Sequence, residues 1–229
     1  MNEVSIVLRQ EITHMNQSSM HRIASWSFVA LALGAITGCS TFNRPATDQA
    51  QYLLDVPAPA VVADAAPQGS AIAVRRVTAV APFDGLGFVY AQHDGTWRTD
   101  SYAGWIASPS SMVTNSLVSF LSSSKKFPFV GGQGENAGAP LGVSVVIERF
   151  CADYTKDTGA RAVIQLRWYV TQLQGEKDGL LASGVALGDA PIASATPGAV
   201  ADGFNAATAL AFGEILAGIS GVSAASAKE

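Results

Sequence analysis

The hydrophobic pattern changes period several times between residues 71 and 219, and each change marks an element. "AIAVRRVTAVAPF" alternates Ile72, Val74, Thr78 and Val80 and is rich in β-branched residues, which predicts a strand. "GFVYAQHDGTWRTDS" holds two short β-prone runs around His93-Asp94-Gly95. Asp-Gly between such runs predicts a hairpin, because the tight turn needs positive φ. The period then lengthens. Met112, Val113, Leu117, Phe120 and Leu121 recur at three- and four-residue spacing, one face of a helix. Ser108 supplies its N-cap and Pro109 its first helical position, while Lys125 and Lys126 near its end suit the negative pole of the helix dipole.

Strands return after a Gly-rich loop, "FPFVGGQGENAGAPLG". That loop has no Lys-Ser/Thr after it, so it is not a phosphate-binding Walker loop. "LGVSVVIERFCADY" sets Val143, Val145 and Ile147 on one face. "RAVIQLRWYVTQL" sets Ala162, Ile164, Leu166, Trp168 and Val170 on one face and Arg161, Gln165, Arg167 and Thr171 on the other. Strict alternation means one buried and one wet face, as in antiparallel sheets. "TKDTGA" and "QGEKDG" read as turns, and "LLASGVALG" as the third strand of a meander. Thr196-Pro197 opens a second helix with Val200, Phe204, Ala207, Ala211 and Ile215 inward. The order β, β-hairpin, α, β, β, β, β, α predicts an α+β fold of two layers: a mostly antiparallel sheet with two amphipathic helices on one face.

Upstream of this domain the pattern is different. His21 and Arg22 precede an uncharged run from Ile23 to Gly38 that ends at Cys39. A membrane span needs roughly 20 apolar residues; this run is shorter and closes on small residues, as a secretory signal does. Ile36-Thr37-Gly38-Cys39 resembles a bacterial lipoprotein box, so Cys39 is the expected lipidation site. A single acyl chain binds a bilayer only marginally, and two or more hold firmly. Glu3 and Glu11 fit a signal poorly, which leaves Met15 and Met20 beside Met1 as candidate starts. The expected organisation is a signal peptide over 1–38, then a lipidated N-terminus and tether over 39–70 with a short strand at 51–56. A domain over 71–219 and a disordered tail over 220–229 follow.

Composition narrows the function. The net charge is −4, and Arg75-Arg76 and Lys125-Lys126 are the basic pairs of the domain. A mildly acidic domain with no basic cluster argues against nucleic acid. After lipidation Cys151 is alone, so no disulfide forms within the chain, and it reads as a buried small hydrophobe. One histidine, His93, remains, in a turn. No cluster has metal-ligand spacing and no serine sits in a nucleophile elbow, so neither a catalytic residue nor a cofactor is expected. Five aromatics crowd one region: Phe88, Tyr90, Trp97, Tyr102 and Trp105. They exceed what a core beside one helix needs, and aromatics favour interface hot spots. At least two are expected to be exposed and to form a partner-docking patch.

The chain resembles the ABC-type transport auxiliary lipoproteins, PqiC-like. The resemblance rests on Tyr52-Leu53-Leu54, the strand from Ile72 to Pro82, and Phe88-Val89-Tyr90. It continues through Tyr102 and Trp105 before Pro109, a Phe-Val strand, two long strands and a C-terminal helix. It departs from the family pattern at Ala91, where arginine is usual. The resemblance implies a non-catalytic lipoprotein at the periplasmic face of the outer membrane, with Ser40 after the cysteine favouring that membrane. The implied partners are an MCE-type periplasmic transport protein with its ABC transporter, and the bilayer through acyl chains on Cys39. A homo-oligomer is compatible with it. The competing class is a lipoprotein that scaffolds or regulates an envelope enzyme complex. Small residues on both helices (Ala207, Ala211, Gly213; Ser116, Ser119) close space against a sheet, so an adaptor without a deep acyl-chain pocket is expected.

Overall fold

The computed structural model describes residues 49–60, 67, 69–135, 138–173 and 179–226, with the side chains of 223–226 left aside. The expected signal peptide, Cys39 and most of the "QGEKDG" turn lie outside the described residues. The elements run β1 (Ala50–Tyr52), β2 (Ile72–Ala79), β3 (Gly87–Ala91), β4 (Trp97–Trp105), α1 (Pro109–Ser123), β5 (Val130–Gly131), β6 (Leu141–Asp153), β7 (Arg161–Gln172), β8 (Leu180–Pro191) and α2 (Pro197–Ser226). The first strand is thus Ala50–Tyr52 where 51–56 was expected, and α2 runs past residue 219 to Ser226.

All eight strands belong to one sheet, and β6 is its axis. One edge of β6 pairs with β7 along its whole length, from Leu141↔Gln172 to Asp153↔Arg161. Its other edge is shared. β2 takes the stretch Leu141 to Ile147, and β3 takes Ala152 and Asp153. A register shift between Ile147 and Arg149 lies where the two neighbours part; an extra residue there bends a strand and strengthens its twist. β5 lies beyond β2, β4 and β1 lie beyond β3, and β8 lies beyond β7.

The expectation of a mostly antiparallel sheet needs correction. The pairings β1–β4, β2–β5, β2–β6 and β3–β6 are parallel, four of the seven. The antiparallel ones are β3–β4, β6–β7 and β7–β8. Alternation along a strand reports which face is buried, not which way its neighbour runs. The return through α1 makes β5 and β6 run alongside β2, as a crossover does.

Both helices cover the same face. α1 lies over β2 and β5, α2 over β7 and β8, and they touch where the Phe120 and Phe212 rings meet at 5.5 Å. Every residue foreseen as inward on either helix is buried. The Ser108 hydroxyl accepts from Ser111 N–H and caps α1. At the other end Ser124 takes over: its N–H donates to Phe120 and Leu121 carbonyls, and its hydroxyl donates to Leu121 O at 2.6 Å. The two lysines therefore lie past the helix, and Lys125 adopts positive φ at 58°.

α2 is long and apolar enough to cross a membrane by length and composition. Its inner residues instead pack on the sheet, with Phe204, Ala207, Ala211 and Ile215 inaccessible. Contact is close. A Cβ at Gly188 of β8 would run into the Ala207 carbonyl, and Gly184 and Gly218 both face the Trp168 ring. Phe150 and Phe204 rings approach to 4.4 Å, and Trp105 packs on both. Such ring pairs add about 0.5–1.5 kcal/mol each beyond the burial of their area.

Candidate functional site

The hairpin that carries the aromatic cluster is set by its turn. Gln92 N–H donates to Thr96 O and Gly95 N–H to Gln92 O, with Gly95 at φ 79°. The Asp94 carboxylate accepts from the Thr96 hydroxyl at 2.6 Å and from Thr96 N–H at 2.9 Å. Those bonds hold its carboxyl below the usual range, the hydroxyl contributing most. His93 sits exposed in this turn, its Nδ1 3.1 Å from Thr155 O.

Strand β4 then breaks step. Val89 pairs with Thr99, but Gly87 pairs with Gly104, so residues 100–103 bulge. Asp100 organises the bulge. One oxygen accepts from Tyr102 and Ala103 N–H groups at 2.8 and 3.0 Å, and the other accepts from the Tyr90 hydroxyl at 2.8 Å. Burial, then the bond to Asp100, raises the Tyr90 phenol well above its ordinary value.

The five foreseen aromatics part company here. Phe88 and Trp105 are core; their rings meet at 4.7 Å and both lie against Phe204 of α2. Tyr90 is half-buried beside Tyr154. Trp97 is 51% exposed, with the Phe83 ring at 6.0 Å, and Tyr102 on the bulge is 67% exposed. The structure therefore does not bring the five to one surface.

Around the exposed pair stand aliphatic residues that the sequence pattern did not place at the surface. Val80 and Leu86 are exposed on the loop that carries Phe83. Leu86 O accepts from Trp105 N–H, which docks this loop on β4. Leu53 and Ile106 are exposed at the β1 edge, where Ile106 N–H donates to Tyr52 O. Leu181, Val185 and Leu187 of β8 are exposed on the sheet face turned away from α2, Leu180 is exposed at the start of that strand, and Leu210 is exposed on α2 itself.

On β6 and β7 the uncovered face of the sheet is polar. Glu148 accepts from Arg167 Nε at 2.5 Å and from Gln165 Nε2 at 2.7 Å, and these two bonds lower its pKa. Arg149 donates to Asp153 at 2.8 Å and lies 3.3 Å from the Cys151 sulfur. Burial pushes the Cys151 thiol up despite that guanidinium, the direction for an inert thiol. Among the described residues no group of three or more His, Cys, Asp or Glu side chains could hold a metal ion. Two open grooves border α1. One of about 500 Å³ runs along Ser110, Thr114 and Gln133, and one of about 290 Å³ along Leu53, Ser116 and Ser119.

Known structures share this arrangement. XCC0632 from Xanthomonas campestris matches with a TM-score of 0.66 at 20% identity, covering 78% of this chain and 99% of its own. A crystal structure of an uncharacterised protein matches with a TM-score of 0.59 at 16% identity, covering 74% of this chain and 97% of its own. These likenesses show the fold. No curated protein sequence matches the chain. The family model for the ABC-type transport auxiliary lipoprotein component matches residues 52–215, and the chain belongs to that family. Its role is therefore that of an accessory to a transport system, as a lipoprotein component of it.

Proposed function

We propose that this chain is a lipid-anchored, non-catalytic adaptor on the periplasmic face of the outer membrane. It serves an MCE-type ABC system that moves lipid between membranes. The observation that carries this is the family match over residues 52–215, preceded by Ile36-Thr37-Gly38-Cys39-Ser40. Cys39 takes the acyl chains and the bilayer is one partner. The transport protein and its ABC transporter are the other, without nucleic acid or cofactor. The close seating of α2 on β8 at Gly188 supports an adaptor over a carrier, because the helix and strand backbones meet there with no room for an acyl chain.

Crosslinked pull-down from membranes tests the partner. Recovery of an MCE-type protein with a permease and an ATPase is the expected result. Recovery of a cell-wall enzyme complex alone would move the chain to the scaffold class. Native mass spectrometry tests the adaptor role, since a stoichiometric phospholipid on the monomer would make this protein a carrier.

A further inference from the structure

The adaptor reading names two partners, a bilayer and a transport protein, and the aromatic surface must meet one of them. We propose that the β4 surface bearing Trp97 and Tyr102 lies against the lipid bilayer that holds Cys39. This inference rests on the lipid anchor.

The direction of β1 carries it. β1 is parallel to β4, with Ala50 beside Ala103 and Tyr52 beside Trp105. Followed backwards from Ala50, the strand axis therefore points along β4 towards Tyr102 and Trp97. Residues 40–49 alone separate Cys39 from β1. Fully extended they span at most about 35 Å, at roughly 3.3–3.6 Å per residue. The typical span of any unstructured chain of that length is about half of that. The surface nearest the point of attachment is thus held within a short distance of the lipid.

The chemistry of that surface fits an interface. Tyr102 adjoins Ala103, the residue beside the strand that the tether enters. Trp97 exposes half of its ring. Val80 and Leu86, on the loop docked to β4, add aliphatic area. Tryptophan and tyrosine settle where acyl chains meet headgroups, because each has an apolar body and a polar handle. Exposed charges on these segments and the turn beside them include Asp84, Asp94, Arg98 and Asp157, which lies 3.9 Å from His93. With no cationic excess, contact does not depend on anionic lipid.

The test uses the full lipidated chain reconstituted in phosphatidylcholine vesicles, plain or with brominated acyl chains. Trp105 and Trp168 are buried, so Trp97 is the described tryptophan open to bromine quenching. Tryptophan emission should fall in the brominated vesicles, and Trp97→Phe should remove that loss. Adding Tyr102→Trp to the Trp97→Phe chain should restore it. Equal emission in both vesicle types, from protein that floats with them, would overturn the proposal and leave the anchor intact. So would photocrosslinking at position 97 in cells that captures a transport protein. If Cys39 carries no lipid, both the anchor and this proposal fall.

Discussion

Trp97 and Trp105 occupy the two ends of β4, yet one is half in solvent and the other is 2% exposed. Three elements supply rings to Trp105: Phe88 from β3, Phe150 from β6 and Phe204 from α2. Trp97 has one ring partner among the described residues, Phe83 from a loop. What differs is the second layer. A strand fixes where a side chain starts, and whatever packs over it decides whether the ring becomes core or surface.

The contrast is broken most directly at the buried end. Trp105→Ala should cost about 3–5 kcal/mol, the range for deleting a large buried ring. Urea denaturation of the domain measures it, and a loss below about 1 kcal/mol would mean that the ring cluster is not a unit. Asp100 sits between the two ends and accepts from Tyr90, Tyr102 and Ala103. Asp100→Ala should cost about 1–3 kcal/mol, because the part-buried Tyr90 hydroxyl and Ala103 N–H lose a charged acceptor. It should also lower the Tyr90 phenol pKa, which ultraviolet titration follows.

The polar face responds to pH instead. The Glu148 pKa is lowered by Arg167 and Gln165, so its contribution is present above the unfolded value of about 4.3 and lost as pH falls through the folded one. Melting of the native chain should therefore drop more than that of Glu148→Gln between about pH 5 and 3. Solvent screening holds the difference to about 0.5 kcal/mol. Parallel acid profiles for the two proteins would assign no role to the pair. Trp97→Ala should shift stability by no more than about 0.5 kcal/mol, as exposed substitutions do. A cost comparable to that of Trp105→Ala would erase the distinction between the two ends.

Much of the architecture was legible because it depends on local chemistry. Ser108-Pro109 announced the start of α1, and the spacing of Met112 to Leu121 named its inner face. The alternation from Ala162 to Val170 named the buried face of β7. The parallel pairings were not legible, since Ile72 to Ala79 would alternate in the same way beside a strand of either direction. Nor was the division of β6 between two neighbours, which depends on a register shift at Ile147/Arg149. For the candidate site, the cluster of aromatics was visible but its sorting was not. Phe88 and Trp105 were assigned to core by Phe204, more than ninety positions away in the chain and on a different element.

The position of β1 gives the domain a mechanical property. A pull from an anchor upstream reaches the domain first at a strand of three residues, Ala50–Tyr52. Because β1 lies alongside β4, tension along its axis drives sliding rather than peeling. Its hydrogen bonds then bear load together instead of opening one at a time. Behind it stand further holds: the Ile106–Tyr52 backbone bond and the 2.9 Å bond from Asp55 N–H to Asn205 of α2, with Leu54 buried between them. Single-molecule stretching from the N-terminus, with Asn205→Ala as comparison, reads how much of the resistance that side chain supplies. With the proposed lipid anchor in place, such a latch would keep the domain folded while the distance between membrane and domain fluctuates.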